Sequence, residues 1–241
     1  MTLSPPTTAS SQVPVGGGSV LDTERGSLVV PADADTLAGF RRWTASDDFP
    51  EWGRIDYLDG TLYFDLMAER IYSHSLPKHE IMRVVGNRAK ELGFGRLGTD
   101  STRIVLTAPQ AISCEPDGVG VSFESLKAGR VTMVPTADKG DMIEFQGPPD
   151  WVLELLSPSS ENKDAVRLPE AFFAGGVREY WLADCRGEEA RLTIHTRGPD
   201  RFEPVERDDD GFQPSQVFER SYRLRRSTDP LGDPAFTLDE R

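Results

Sequence analysis

A chain of 241 residues, 37% apolar and 9% aromatic, can bury a core within one domain, which excludes global disorder despite its 28% charged residues. Forty acidic against 27 basic residues leave a formal net charge of -13 at pH 7, which opposes unspecific attachment to a polyanion. The two cysteines, Cys114 and Cys185, exclude a disulfide scaffold, and neither an export leader nor an apolar run of about 18 residues is found, so a reducing, cytoplasmic setting away from membranes is expected.

Residues 1–27 are rich in Ser, Thr, Pro and Gly and read as a disordered tail, with the domain expected over 28–226 and a second tail over 227–241. Leu37, Phe40 and Trp43 make an apolar stripe on a first helix within 33–46. RIDYLDGTLYFDL then reads as a hairpin turning at Asp59-Gly60, a pair suited to positive φ. Ile81, Val84, Val85, Ala89 and Leu92 recur at helical spacing up to a stop at Gly93.

Strands are expected at 102–108 and within 111–122, and GRVTMVP and MIEFQG form a hairpin around the polar loop 136–141. DWVLELLS, 150–157, is a near-continuous apolar strand. A helix over about 165–174 stops at Gly175-Gly176, and VREYWLADC, LTIHTRG and a segment ending at Arg226 are further strands. The fold class is α/β or α+β, with helices flanking a mixed central sheet of about five to seven strands.

Glu154 stands inside Trp151, Val152, Leu153, Leu155 and Leu156. An ionised carboxylate buried there costs several kcal/mol unless a cation, a proton or a metal compensates it. Asp117, between Pro116 and Gly118, reads alone as a turn residue, and the second carboxylate on a later strand is what makes it a candidate ligand. Two carboxylates on neighbouring strand ends with a main-chain carbonyl supply the hard oxygens that Mg²⁺ prefers. Neither a zinc spacing nor a P-loop or dinucleotide-binding glycine pattern is found.

GRIDYLDGTL, LPKHEIMRVVG, EPDGVGVS, DWVLELLSPSS and KDAVRLPEAFFAGGVREYWLADCRGEE together resemble the bacterial "putative restriction endonuclease" family, a branch of the PD-(D/E)XK nuclease superfamily. The resemblance runs from about Leu37 to Arg226. It implies a restriction-endonuclease-like fold, a Mg²⁺ ion (or Mn²⁺) on Asp117, Glu154 and the carbonyl of Leu155, and Asp56 as a third acidic member of the site. DNA is the implied partner, and a homodimer the implied assembly.

The superfamily's lysine would stand at Leu156, or in this family on the following helix at Leu168; Lys163 is the nearest candidate, with a solvated surface lysine as the alternative. Arg167 cannot serve as a base, because a guanidinium keeps its proton. His79 reads as a helix-start residue, His74 and His195 have no constellation around them, and Tyr180 and Trp181 read as core. The leading expectation is a Mg²⁺-dependent endonuclease. The alternatives are a nuclease-fold module that binds without cutting, favoured by the acidity and the displaced lysine, and a metal-dependent hydrolase of small phosphoesters.

Overall fold

The computed structural model describes residues 12–13, 18–23, 26–136, 139–157 and 163–241. In chain order the elements are β1 (Gln12–Val13), β2 (Ser19–Thr23), β3 (Gly26–Val30), α1 (Leu37–Thr44), β4 (Arg54–Leu58), β5 (Thr61–Asp65), α2 (Leu76–Leu92), β6 (Gly95–Thr99), β7 (Arg103–Leu106), β8 (Ile112–Cys114) and β9 (Gly118–Ser122). There follow α3 (Phe123–Lys127), β10 (Thr132–Pro135), β11 (Met142–Gln146), β12 (Trp151–Leu155), α4 (Leu168–Gly175), β13 (Glu179–Asp184), β14 (Arg191–Arg197), β15 (Phe202–Pro204), β16 (Gln213–Ser215), β17 (Arg220–Thr228) and β18 (Pro234–Glu240). No helix among the described residues is long and apolar enough to cross a membrane.

The mixed α+β class holds, with the strands divided between two main sheets. One has seven strands in the order β1-β5-β4-β8-β7-β11-β10, the other six in the order β15-β14-β13-β12-β9-β6. Sequence patterning shows which face of a strand is apolar but not which strand it pairs with, so one sheet and two look alike before folding. The chain passes from one sheet to the other between β5 and β6, β6 and β7, β8 and β9, β9 and β10, and β11 and β12. The passage from β8 to β9 is Glu115-Pro116-Asp117.

Side chains alternate along β12. Trp151, Leu153 and Leu155 join Ile81, Val84 and Val85 of α2 in one core, whereas Val152 packs with Ile104, Ile112 and Val119 in a second core between the sheets. Glu154 has the parity of Val152 and therefore faces the seven-stranded sheet. A third core sets Phe40 and Trp43 of α1 on Ile55 and Tyr57 of β4, and Tyr180 and Trp181 are fully buried. Asp59 at φ 47 and Gly60 at φ 82 form the hairpin turn, and Gly93 ends α2 at φ 58.

Both expected tails contain strands. β2 pairs with β3, and β18 pairs with β17 along its length, burying Leu238. The β2–β3 pair leaves Val20 and Val29 exposed and rests chiefly on its backbone hydrogen bonds, whereas β18 adds Leu238 and Phe236 to the core that holds α2. α2 begins where its periodicity suggests, whereas α4 begins a few residues later than expected. Each is preceded by one π-helical turn, Ile71–Ser75 before α2 and Lys163–Arg167 before α4, and each opens on Leu-Pro. In the first, the N–H of Leu76 bonds the carbonyl of Ile71, and Pro77 has no N–H with which to continue the ladder.

Candidate functional site

The site lies where β4, the β8–β9 passage, β12 and the two π-helical turns meet. Asp117, Glu154, Asp56 and Lys163 are all buried. Asp117 Oδ2 accepts the N–H of Leu155 at 2.7 Å, which ties the passage between sheets to the strand carrying Glu154. Arg54 Nη1 lies 3.4 Å from Asp117 Oδ1 and 3.9 Å from Glu154 Oε2, so the two carboxylates face one guanidinium. The same Nη1 donates to the carbonyl of Glu115 at 3.1 Å, and Arg54 Nε lies 3.9 Å from Asp56.

Arg54 and Asp56 are two apart on β4 and so share a face. Asp56 uses both oxygens. Oδ1 accepts the N–H of Glu115 at 3.0 Å, and Oδ2 accepts Lys163 Nζ at 2.6 Å. Lys163 is therefore not a solvated loop lysine. Burial alone would raise the carboxyl of Asp56, but the ammonium of Lys163 and the guanidinium of Arg54 outweigh it and hold the group below its ordinary value. Burial, reinforced by the charges of Asp56 and Glu154, pushes the Cys114 thiol well up.

Gly118 follows Asp117 directly, and a Cβ there would lie 2.8 Å from Met82 Sδ and 3.0 Å from Trp151 Cη2. The residue opens β9 in close contact with β12 and α2, so it serves packing as the chain enters the strand. Leu156 is buried with its N–H on the carbonyl of Ala183, Leu168 is buried in the inter-sheet core, and Arg167 bonds the Tyr63 hydroxyl while lying over that ring. The Leu155 side chain packs in the core beside α2.

His74 does have a constellation. Its Nε2 lies 3.3 Å from Asp117 Oδ2 and its Nδ1 is 2.6 Å from Glu69 Oε1. Lys78 Nζ bonds Glu69 and Asp100, the latter at 2.6 Å, and stands 3.8 Å from Asp117 Oδ1. Burial would lower the imidazole's pKa, but the hydrogen bond and charge of Asp117 raise it. Burial likewise opposes ionisation of Asp117, and His74, Arg54 and Lys78 together hold that carboxyl far below its ordinary range. His79 is exposed, and His195 is a strand residue beside the Tyr180 ring.

Sequence reasoning missed Arg54, Glu69, His74 and Lys78. The Arg-x-Asp alternation at the start of β4 was a visible signal for the first. The other three depend on the turn before α2, which no periodicity marks.

A family model described as "Putative restriction endonuclease", Uma2, matches residues 37–227. The chain belongs to this family. A solved structure, a "putative nuclease belonging to DUF820" from Anabaena variabilis, is similar over 76% of this chain and 90% of that one, with TM-score 0.56 and 19% identity, which is a likeness of fold. No curated protein matches.

Proposed function

We propose that this member of the family hydrolyses DNA phosphodiester bonds with Mg²⁺, or Mn²⁺ in its place. The observation that carries the reading is the pair of buried carboxylates, Asp117 and Glu154, turned toward one guanidinium nitrogen. A set of anionic oxygens at the meeting of two sheets fits a hard divalent ion, whose charge would offset their burial. Asp117, Glu154 and the carbonyl of Leu155 would hold it. Such an ion would lower the pKa of a bound water and stabilise charge on the scissile phosphate.

The chain's own residues do the rest. The Leu155 N–H orients Asp117, and Asp56 anchors the ammonium of Lys163, which remains a donor able to orient the attacking water. Arg54 balances the carboxylates and has guanidinium donors suited to phosphate oxygens. Arg54, Lys78 and Lys163 are each already paired with carboxylates of the site, so in a protein of net charge -13 a phosphate would be met chiefly through the divalent ion held there.

The test is cleavage of plasmid, linear and single-stranded DNA with Mg²⁺ or Mn²⁺ by the wild type, Asp117→Ala and Glu154→Ala. Each variant is expected to lose roughly 100-fold or more. Undiminished cleavage by either would overturn the metal site. The net charge favours one rival, a nuclease-fold module that binds without cutting. A wild type that cleaves no substrate and shows no thermal shift with Mn²⁺ would support that rival instead.

A further inference from the structure

Asp117 has two faces. Oδ1 looks toward Arg54 and Lys78, while Oδ2 receives the Leu155 N–H and lies beside His74 Nε2. Glu154 meets the Arg54 side of this carboxylate; on the other side stand His74 and Glu69. One ligand atom from each of Glu69, His74 and Asp117 lies within 4.8 Å of the others. The His74 side chain is only 10% exposed and Glu69 38%, so the trio has a buried floor and one open side.

We propose that Glu69, His74 and Asp117 form a second cation site, taking a transition-metal divalent ion such as Mn²⁺, Co²⁺ or Zn²⁺. The proposal rests on the reading of Asp117 as a metal ligand and adds a second ion to it. An imidazole between two carboxylates, with Nδ1 toward Glu69 and Nε2 toward Asp117, adds a nitrogen donor that shifts preference from Mg²⁺ toward these softer ions. The π-helical turn Ile71–Ser75 fixes the imidazole, and Glu69 lies just ahead of it. A cation already occupies the neighbourhood: the Lys78 ammonium bonds Glu69 and stands close to Asp117. Its contact with Asp100 lets Lys78 keep a counter-charge when Glu69 turns to a metal. Lys78 is thus a competitor for the site, which gives the proposal a signed consequence.

The experiment is titration of the full chain with MnCl₂ by calorimetry, together with pulsed electron paramagnetic resonance read for nitrogen coupling to the bound ion. The expected result is two ions per chain, one of them nitrogen-coupled. Glu69→Gln and His74→Ala should each leave one ion, His74→Ala should abolish the nitrogen coupling, and Lys78→Met should tighten the coupled site about five-fold or more by removing a like charge. Circular dichroism confirms that each variant folds, and Glu69→Gln, at the open side, perturbs packing least. Glu154→Gln separates the two readings. If it removes the uncoupled ion and spares the coupled one, both sites stand; if stoichiometry stays at two while His74→Ala still removes one, the second site stands and the Asp117/Glu154 reading fails. Wild-type Mn²⁺ without nitrogen coupling, or coupling that survives His74→Ala, would overturn the proposal.

Discussion

Replacing Lys163 by Met keeps the length of the side chain and removes its charge, leaving Asp56 without its nearest cation. Both partners are buried, and Nζ lies 2.6 Å from Oδ2. Breaking a buried pair by removing one partner costs about 3–5 kcal/mol, because the remaining charge stays desolvated. Asp56 would still keep the Glu115 N–H at 3.0 Å and Arg54 at 3.9 Å, so we place the loss lower, at about 2–3 kcal/mol. In a chain of this size that lowers the melting temperature by roughly 5 °C or more. The double variant Asp56→Asn/Lys163→Met should cost less than the two single changes together, with a coupling of about 2 kcal/mol in urea denaturation.

The acid dependence follows from the sign of the Asp56 shift. Its carboxyl is held below the ordinary 3.8, so the pair's stabilisation is complete above that pH and is lost as pH falls toward the depressed value. The gap between wild type and Lys163→Met should therefore be full near neutrality and close in strong acid. A loss under about 0.5 kcal/mol at neutral pH, the size expected of an exposed loop lysine, would refute the buried pair.

Gly118→Ala should destabilise by about 1–3 kcal/mol through overpacking against Met82 and Trp151, and it should weaken Mn²⁺ binding by displacing Asp117, measured by urea unfolding and by calorimetry. Asp150 accepts the Ser122 N–H at 2.7 Å and the Ser125 hydroxyl at 2.6 Å, which fastens the start of α3 to the entry of β12. Asp150→Ala should cost about 2–3 kcal/mol in thermal or urea unfolding, and a neutral effect would show that these bonds contribute nothing net.

The outline of the fold was legible wherever one residue type settled a local conformation. Asp59-Gly60 dictated a turn, Gly93 ended a helix, and the apolar neighbours of Glu154 implied its burial. Pairing partners were not legible: nothing in the sequence of β18 says that it pairs with β17, and nothing in DWVLELLS says that β12 lies between β9 and β13. The surroundings of the carboxylates divide the same way. A polar loop conceals that Lys163 turns inward, since its partner Asp56 is 107 residues away. His74 looked isolated because its meeting with Asp117 depends on one π-helical turn, a departure from the helical period that hydrophobic spacing does not record.

The most direct test of the central claim is a crystal of the wild-type chain soaked in MnCl₂, with anomalous scattering collected at the manganese edge. A peak is expected within about 2.2 Å of one carboxyl oxygen from Asp117 and one from Glu154, with the Leu155 carbonyl completing the protein ligands. A well-ordered soak in which the manganese lies elsewhere, with Arg54 still seated between the two carboxylates, would contradict it.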